Sequence, residues 1–250
     1  MPSRVCTLSD GGRNVWFVDR ERRRAEVTTD QVVVSFPLNA IPDPLYEPMA
    51  SAFDGDLHPQ IKIQNLYEST LMKPAVCTLN AGGPFPINTA TKIVRLTLTD
   101  DAIDDKLDDL EGQLLALQGR PFKDTLQDRI DLYRDLYKDD RKIDRLRLGA
   151  VEMFQDATYS NIQRDPRVAL SFCWTKHNQQ AAIGYQINCV TEISRPGETF
   201  YRFMRCLRSL FSFKFLEMRG AEYACAYKFW VCEAKEKSLT PKPGFVPHEF

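Results

Sequence analysis

The chain has little of what usually announces chemistry. It holds 3 histidines in 250 residues, His58, His177 and His248, and none stands beside a cysteine or another histidine. That speaks against a zinc site and gives histidine-driven nucleophilic catalysis poor support, although a cysteine meeting His177 in space stays open. There is no P-loop, no G-x-G-x-x-G, no G-x-S-x-G and no H-E-x-x-H. An excess of one charge is missing too. With 33 Lys+Arg against 34 Asp+Glu the net charge is -1, so no global field draws nucleic acid or an anionic membrane. No stretch approaches the roughly 18 apolar residues of a membrane span, and no apolar segment follows a basic start, so the expectation is a soluble, unexported, cytoplasmic protein. The seven cysteines, Cys6, Cys77, Cys173, Cys189, Cys206, Cys225 and Cys232, include no C-x-x-C pair. Most sit in apolar runs and read as reduced core residues.

What is present begins with strands. RVCTL, the turn Ser9 to Gly12 and NVWFVD predict a hairpin; AEV, Thr29-Asp30 and QVVVSF predict a second. The charges of Arg20 to Arg24 fall at a turn and read as a solvated hairpin tip. Pro37, Pro42, Pro44, Pro48 and Pro59 then deny a long helix, leaving a connector with at most one helical turn near Met49 to Phe53. Residues 1–59 thus form a β-rich extension and a Pro-rich connector. A helix is expected from Gln60 to Met72. After it comes a hairpin over Pro74 to Leu98, turning at Ala81-Gly82-Gly83, with one long second strand.

Residues 100–144 are helical. Ile103, Leu107, Leu110, Leu114 and Leu117 form a stripe opposite an acidic face, Gly119-Arg120-Pro121 breaks the pattern, and Leu126, Ile130, Tyr133 and Tyr137 form a second stripe. The central stretch RLRLGAVEMFQDATYSNIQRDPRVALSF, Arg145 to Phe172, reads as strand, short helix, turn, strand. Pro166 disfavours helix in the residue before it, so the helix should stop near Arg164 and a strand restart at Arg167. Thr158, Ser160 and Asn161 then offer donors at a helix start, where an anion binds well. A polar tip at Lys176 to Gln180, a strand over Gly184 to Ile193, an amphipathic helix from Phe200 to Phe213 flanked by arginines, and a strand over Glu222 to Ala234 complete the order. The tail 236–250, with Pro241, Pro243 and Pro247, reads as extended.

NIQRDPRVALSF, GYQINCVTEI and the upstream PAVCTLNAGGPFPINTATKI resemble the FMN-binding split-barrel family of pyridoxamine 5'-phosphate oxidase-like flavoproteins, over about residues 64 to 235. The resemblance implies an α+β fold: a mainly antiparallel split β-barrel with flanking helices, here with an N-terminal β extension and a helical-hairpin insertion at 100–144. It implies an FMN-dependent oxidoreductase, homodimeric, acting on a small molecule, with the flavin in a groove between the two copies and the chemistry supplied by the cofactor. The candidate FMN-binding residues are Lys92, Arg95, Arg147, Thr158, Ser160, Asn161, Arg167 and Trp174, with Tyr185 and Trp230 as further aromatic residues for the pocket. Which of Lys92, Arg95 and Arg147 points inward depends on register, because a one-residue slip reverses the face. Two departures stand out. Thr158 occupies a position where the family often carries lysine or arginine, or a small hydroxyl residue, so it can donate a hydrogen bond but no charge, and the tail lacks the family's arginine-rich substrate segment, which weighs against the vitamin B6 reaction itself. The alternatives are a non-enzymatic heme- or flavin-binding protein, and a structural or interaction protein that keeps the barrel, with the insertion as its partner surface.

Overall fold

The structure, a computed structural model, describes residues 5–7, 15–29, 32–175, 182–212 and 223–238. Outside the described residues lie the turns expected at Ser9 to Gly12 and at Asp30, the polar tip with His177, the end of the helix expected to reach Phe213, and the tail with His248.

The N-terminal strands β1 (Val5–Thr7), β2 (Val15–Asp19), β3 (Arg24–Thr29) and β4 (Val32–Pro37) form a four-stranded antiparallel meander. A second, seven-stranded sheet takes β5 (Ala75–Leu79), β6 (Ile87–Thr91), β7 (Arg95–Leu98), β8 (Ile143–Glu152), β9 (Arg167–Thr175), β10 (Ala182–Ser194) and β11 (Cys225–Glu236) in the order β6-β5-β9-β10-β11-β8-β7. Every pairing is antiparallel. The two edge strands, β6 and β7, are consecutive in the chain and joined only by Lys92, Ile93 and Val94. That link spans at most about 15 Å, whereas seven flat strands would stand about 29 Å across. The sheet therefore curls until its edges nearly meet, in the manner of a split barrel.

This seam corrects the single long strand expected after the turn at Gly82. Lys92 N–H still reaches back to the Pro74 carbonyl and Val94 N–H to that of Met72, but from Arg95 onward the partner is β8. The chain keeps its extended form and changes neighbour, which local pattern does not record.

Register assigns the faces. Cross-strand partners place Val76, Leu170, Ile187, Cys189, Phe229, Leu148 and Leu96 on the inner face, all buried. The outer face carries two different covers. Over β7 and β8 lies α6 (Thr199–Leu210), which seats Phe203, Met204, Leu207 and Leu210. Gly149 permits this approach, since a Cβ there would stand 2.6 Å from Met204 Sδ. Around α6 pack α3 (Asp100–Leu117) and α4 (Leu126–Tyr137). The arginines of α6 belong to this joint: Arg202 binds Glu111 at 2.6 Å and Asp108 at 2.9 Å. The N-terminal sheet covers β10 and β11 through Val18, Ala25, Val27 and Leu38 against Val190, Trp230 and Cys232. Over β6, β5 and β9 the outer face is bare among the described residues, and Leu79, Ile87, Ser171 and Cys173 are exposed there.

The connector holds more structure than its prolines predict. An eight-residue helix, α1 (Asp43–Ala50), starts with Pro44 in its first turn, where a missing N–H is harmless, and tolerates Pro48 because Leu45, Tyr46 and Met49 are buried. Arg145 fastens it, pairing with Asp43 and lying 3.5 Å over the Tyr46 ring. The next helix, α2 (Pro59–Glu68), is shorter than expected and begins on His58, whose ring accepts from Gln60 N–H. A short helix α5 (Ala157–Arg164) links β8 to β9 where the sequence placed it.

Candidate functional site

Barrel parity divides the eight candidate residues. Lys92, Thr158, Asn161 and Trp174 lie toward the inner side, Arg95, Arg147 and Arg167 toward the outer side, and Ser160 is exposed on α5. They do not converge on one point.

Around α5 the donors are already used. Thr158 Oγ1 accepts from Asn88 Nδ2 at 3.1 Å, and Asn161 Nδ2 donates to Thr78 Oγ1 at 3.1 Å. These bonds pin α5 across the inner side of the β5–β6 hairpin, and both α5 residues are buried. The helix N-terminus is capped by Asp156, whose carboxylate accepts from Ala157 N–H at 2.7 Å. A carboxylate there takes the place in which an anion would otherwise be favoured. Arg167 folds onto Asp165 two residues away, at 2.5 Å.

Lys92 points inward and binds Glu152 Oε2 at 2.6 Å; the same oxygen accepts from Tyr227 at 2.7 Å, and Glu152 Oε1 accepts from Phe154 N–H. Burial by itself would raise the Glu152 carboxyl, but Lys92, the Phe154 amide and Tyr227 outweigh it and leave the carboxyl below its ordinary range. The same burial raises the Tyr227 hydroxyl and pushes the neighbouring Cys225 thiol up to about 12. The cluster is a closed network with a settled proton distribution.

Arg147 is fully buried on the outer face. Its Nη2 meets Asp100 at 2.7 Å and the Leu98 carbonyl at 2.8 Å, its Nε meets Asp144 at 3.1 Å, and the rings of Phe200 and Trp230 lie 4.9 and 5.3 Å away. Only Nη1 lacks a partner. Arg20, read from sequence as part of a solvated tip, instead reaches Asp144 at 2.6 Å and stacks 5.4 Å over Trp230. The cleft of about 950 Å³ between the β2–β3 hairpin and the barrel is lined here by Arg20, Asp100, Glu192, Phe200, Lys228 and Trp230. Its charges answer one another: Lys228 pairs with Glu192 at 3.0 Å, and Trp230 Nε1 donates to the same carboxylate at 3.1 Å. It is a joint between the two sheets more than a receptacle.

Arg95 differs from the others. It is 4% exposed, between the rings of Tyr133 and Phe211, with its Nη1 against Met72 Sδ and a side-chain hydrogen bond to Tyr133. Its Nε has no partner, and among the described residues no carboxylate pairs with it. Trp174 stacks on Tyr185 inside the sheet, with Nε1 unpartnered.

Other routes to chemistry are thin. Among the described residues no three His, Cys, Asp or Glu side chains gather as metal ligands. The Cys189, Cys206, Cys225 and Cys232 thiols are all raised by burial, which disfavours the nucleophilic thiolate. The sequence reading passed over the residues that occupy the candidates: Asp144, Glu152, Asp156 and the Thr78–Asn88 pair. Glu152 did carry a signal, as the lone charge in the run LGAVEMF. Asp156 did too, as the aspartate just before the helix.

No family model matches this chain, and no curated protein matches it. Among solved structures it is similar to the 1.70 Å crystal structure of HupZ from Group A Streptococcus, at 12% identity over 72% of this chain and 94% of that one, with a TM-score of 0.37. No helix among the described residues is long and apolar enough to cross a membrane.

Proposed function

We propose that this chain is a non-enzymatic interaction module, which keeps a split-barrel-like sheet as its scaffold and meets partners through the bare outer face of β6, β5 and β9. One observation carries this reading. Of the groups that the family resemblance would assign to a flavin phosphate, Lys92, Arg147, Arg167, Thr158 and Asn161 are each held by a partner inside the protein, and Asp156 puts a negative charge at the helix start. To release a buried cation from its carboxylate for a phosphate would cost several kcal/mol. The FMN-dependent oxidoreductase reading keeps one observation in its favour, the guanidinium of Arg95, which has no carboxylate partner among the described residues and suits an anion.

A single experiment separates the two. The purified chain is incubated with excess FMN, passed through a desalting column and examined for the yellow isoalloxazine band. The expected result is a colourless protein. Stoichiometric FMN that stays with the wild type and is lost in Arg95→Met would sink the interaction-module reading and install Arg95 as the phosphate ligand.

A further inference from the structure

We infer that the bare outer face of β6, β5 and β9 is covered by this chain's own C-terminal segment, Leu239 to Phe250, which lies across it as a strap. The inference concerns the face proposed above as the meeting surface and rests on that reading for its consequence: a partner gains the face by displacing the strap.

The point of departure is fixed by Gly184. Alternation along β10 sets Tyr185 and Ile187 inward, so Gly184 falls on the outer side. A Cβ there would stand 2.9 Å from the Lys237 carbonyl oxygen and 3.0 Å from its carbon, closer than a side chain normally comes. The chain leaving β11 therefore does not stay in the plane of the sheet. It lies over the outer side of β10, held by Lys237 N–H on the Gly184 carbonyl at 2.7 Å and by Gly184 N–H on Ser238 Oγ at 3.3 Å, with Ser238 buried. Gly184 pairs across to Cys173 of β9, the first strand of the bare face. Only a glycine lets the chain cross here.

The segment is long enough for what lies ahead of it. Cys77 of β5 pairs with Ala169, four residues along β9 from Cys173, so strand spacing and rise put it about 16 Å from Gly184. Phe245 comes seven residues after Ser238, about 22 Å of extended chain, and the 12 residues to Phe250 span about 37 Å. Phe245 and Val246 thus reach the middle of the face, and Phe250 its far end, where Leu79 and Ile87 are 44% and 51% exposed.

The two surfaces also match in kind. Ala75, Cys77, Thr89, Ala169, Ser171 and Cys173 are small and uncharged, a shallow bed for aromatic and branched side chains. The segment brings Leu239, Phe245, Val246 and Phe250, with one lysine and one glutamate. Pro241, Pro243 and Pro247 favour an extended chain and lower the entropy lost on docking. They also leave fewer backbone N–H groups to satisfy on a sheet face, where no ladder partner is on offer.

The two thiols of this face report on the strap, because Cys173 is exposed and Cys77 half-buried among the described residues. The full chain is treated with N-ethylmaleimide at several protein concentrations, and labelling of each thiol is followed by mass spectrometry of its peptide, with the buried Cys232 as reference. Phe245→Asp combined with Val246→Asp alters the segment alone, whereas Thr89→Arg keeps the segment and sets a charge at an exposed position beneath it. The expected result is labelling of Cys77 and Cys173 about tenfold faster in both variants than in the wild type at every concentration, with Cys232 and circular dichroism unchanged. Rates equal to the wild type in either variant overturn the inference, whether the face is then open or covered by something else. Wild-type protection that fades on dilution overturns it too, since it gives the face to a second copy. Labelling does not depend on FMN. A chain that retains FMN sinks the interaction module and leaves the strap standing, while unprotected thiols sink the strap and leave the module standing.

Discussion

Lys92 and Glu152 show how a single residue's meaning is set by its surroundings. A lysine after a strand invites a role in anion binding, yet its ammonium sits beside a carboxylate whose other contacts are a tyrosine hydroxyl and a backbone amide. The Glu152 carboxyl is lower in the folded chain than in the unfolded one, where about 4.3 is ordinary. Its contribution is therefore fully present above the unfolded value and is lost as the pH falls through the folded value. Glu152→Gln leaves Lys92 buried without its counter-charge, and the expected cost at neutral pH is about 3 kcal/mol. Thermal unfolding of both proteins between neutral pH and the glutamate range checks it: the gap should close as the wild type acidifies. A gap that does not change with pH would mean that the loss comes from packing rather than charge.

Among the elements, α1 is the instructive case. Proline density argued against a helix between Pro37 and Pro59, and propensity alone would not form one. Burial of Leu45, Tyr46 and Met49, with Arg145 at the first turn, forms it instead. Pro48 remains an interior proline without an N–H for the carbonyl of Pro44. Pro48→Ala should therefore stabilise the chain by about 1 kcal/mol, after allowing for the freer unfolded backbone. A higher thermal midpoint with an unchanged denaturant slope is the expected reading. A lower midpoint would indicate that the pyrrolidine ring itself fills space against the barrel.

The whole molecule is two antiparallel sheets joined by a small apolar patch and one arginine. Arg20 crosses from the β2–β3 hairpin to Asp144, a side chain 1% exposed that also receives Arg147. Because Asp144 keeps Arg147, losing Arg20 does not strand a charge. Arg20→Met should weaken the joint by about 1 kcal/mol, roughly a fivefold change in an opening equilibrium. Hydrogen exchange would register this as about fivefold faster exchange in β2 to β4, with β9 and β10 unaffected. Equal acceleration in both sheets would mean that they open as one unit.

The sequence by itself determined the type and order of most elements. Apolar periodicity placed α3, α4 and α6, alternation placed the long strands, and Asp165-Pro166 set the corner between α5 and β9, because these signals act within a few residues. It also conveyed an α+β, mainly antiparallel fold. Only the tertiary structure decided where the chain changes partner between β6 and β7, and therefore that Lys92 faces inward while Arg95 and Arg147 face outward. Side-chain direction in a strand reverses with each residue, and which face becomes the inside depends on pairings dozens of residues apart. For the same reason the sequence displayed the cations suited to a phosphate but not Asp100 and Glu152 beside them, since a charge is spent or free according to what the fold brings within about 4 Å of it.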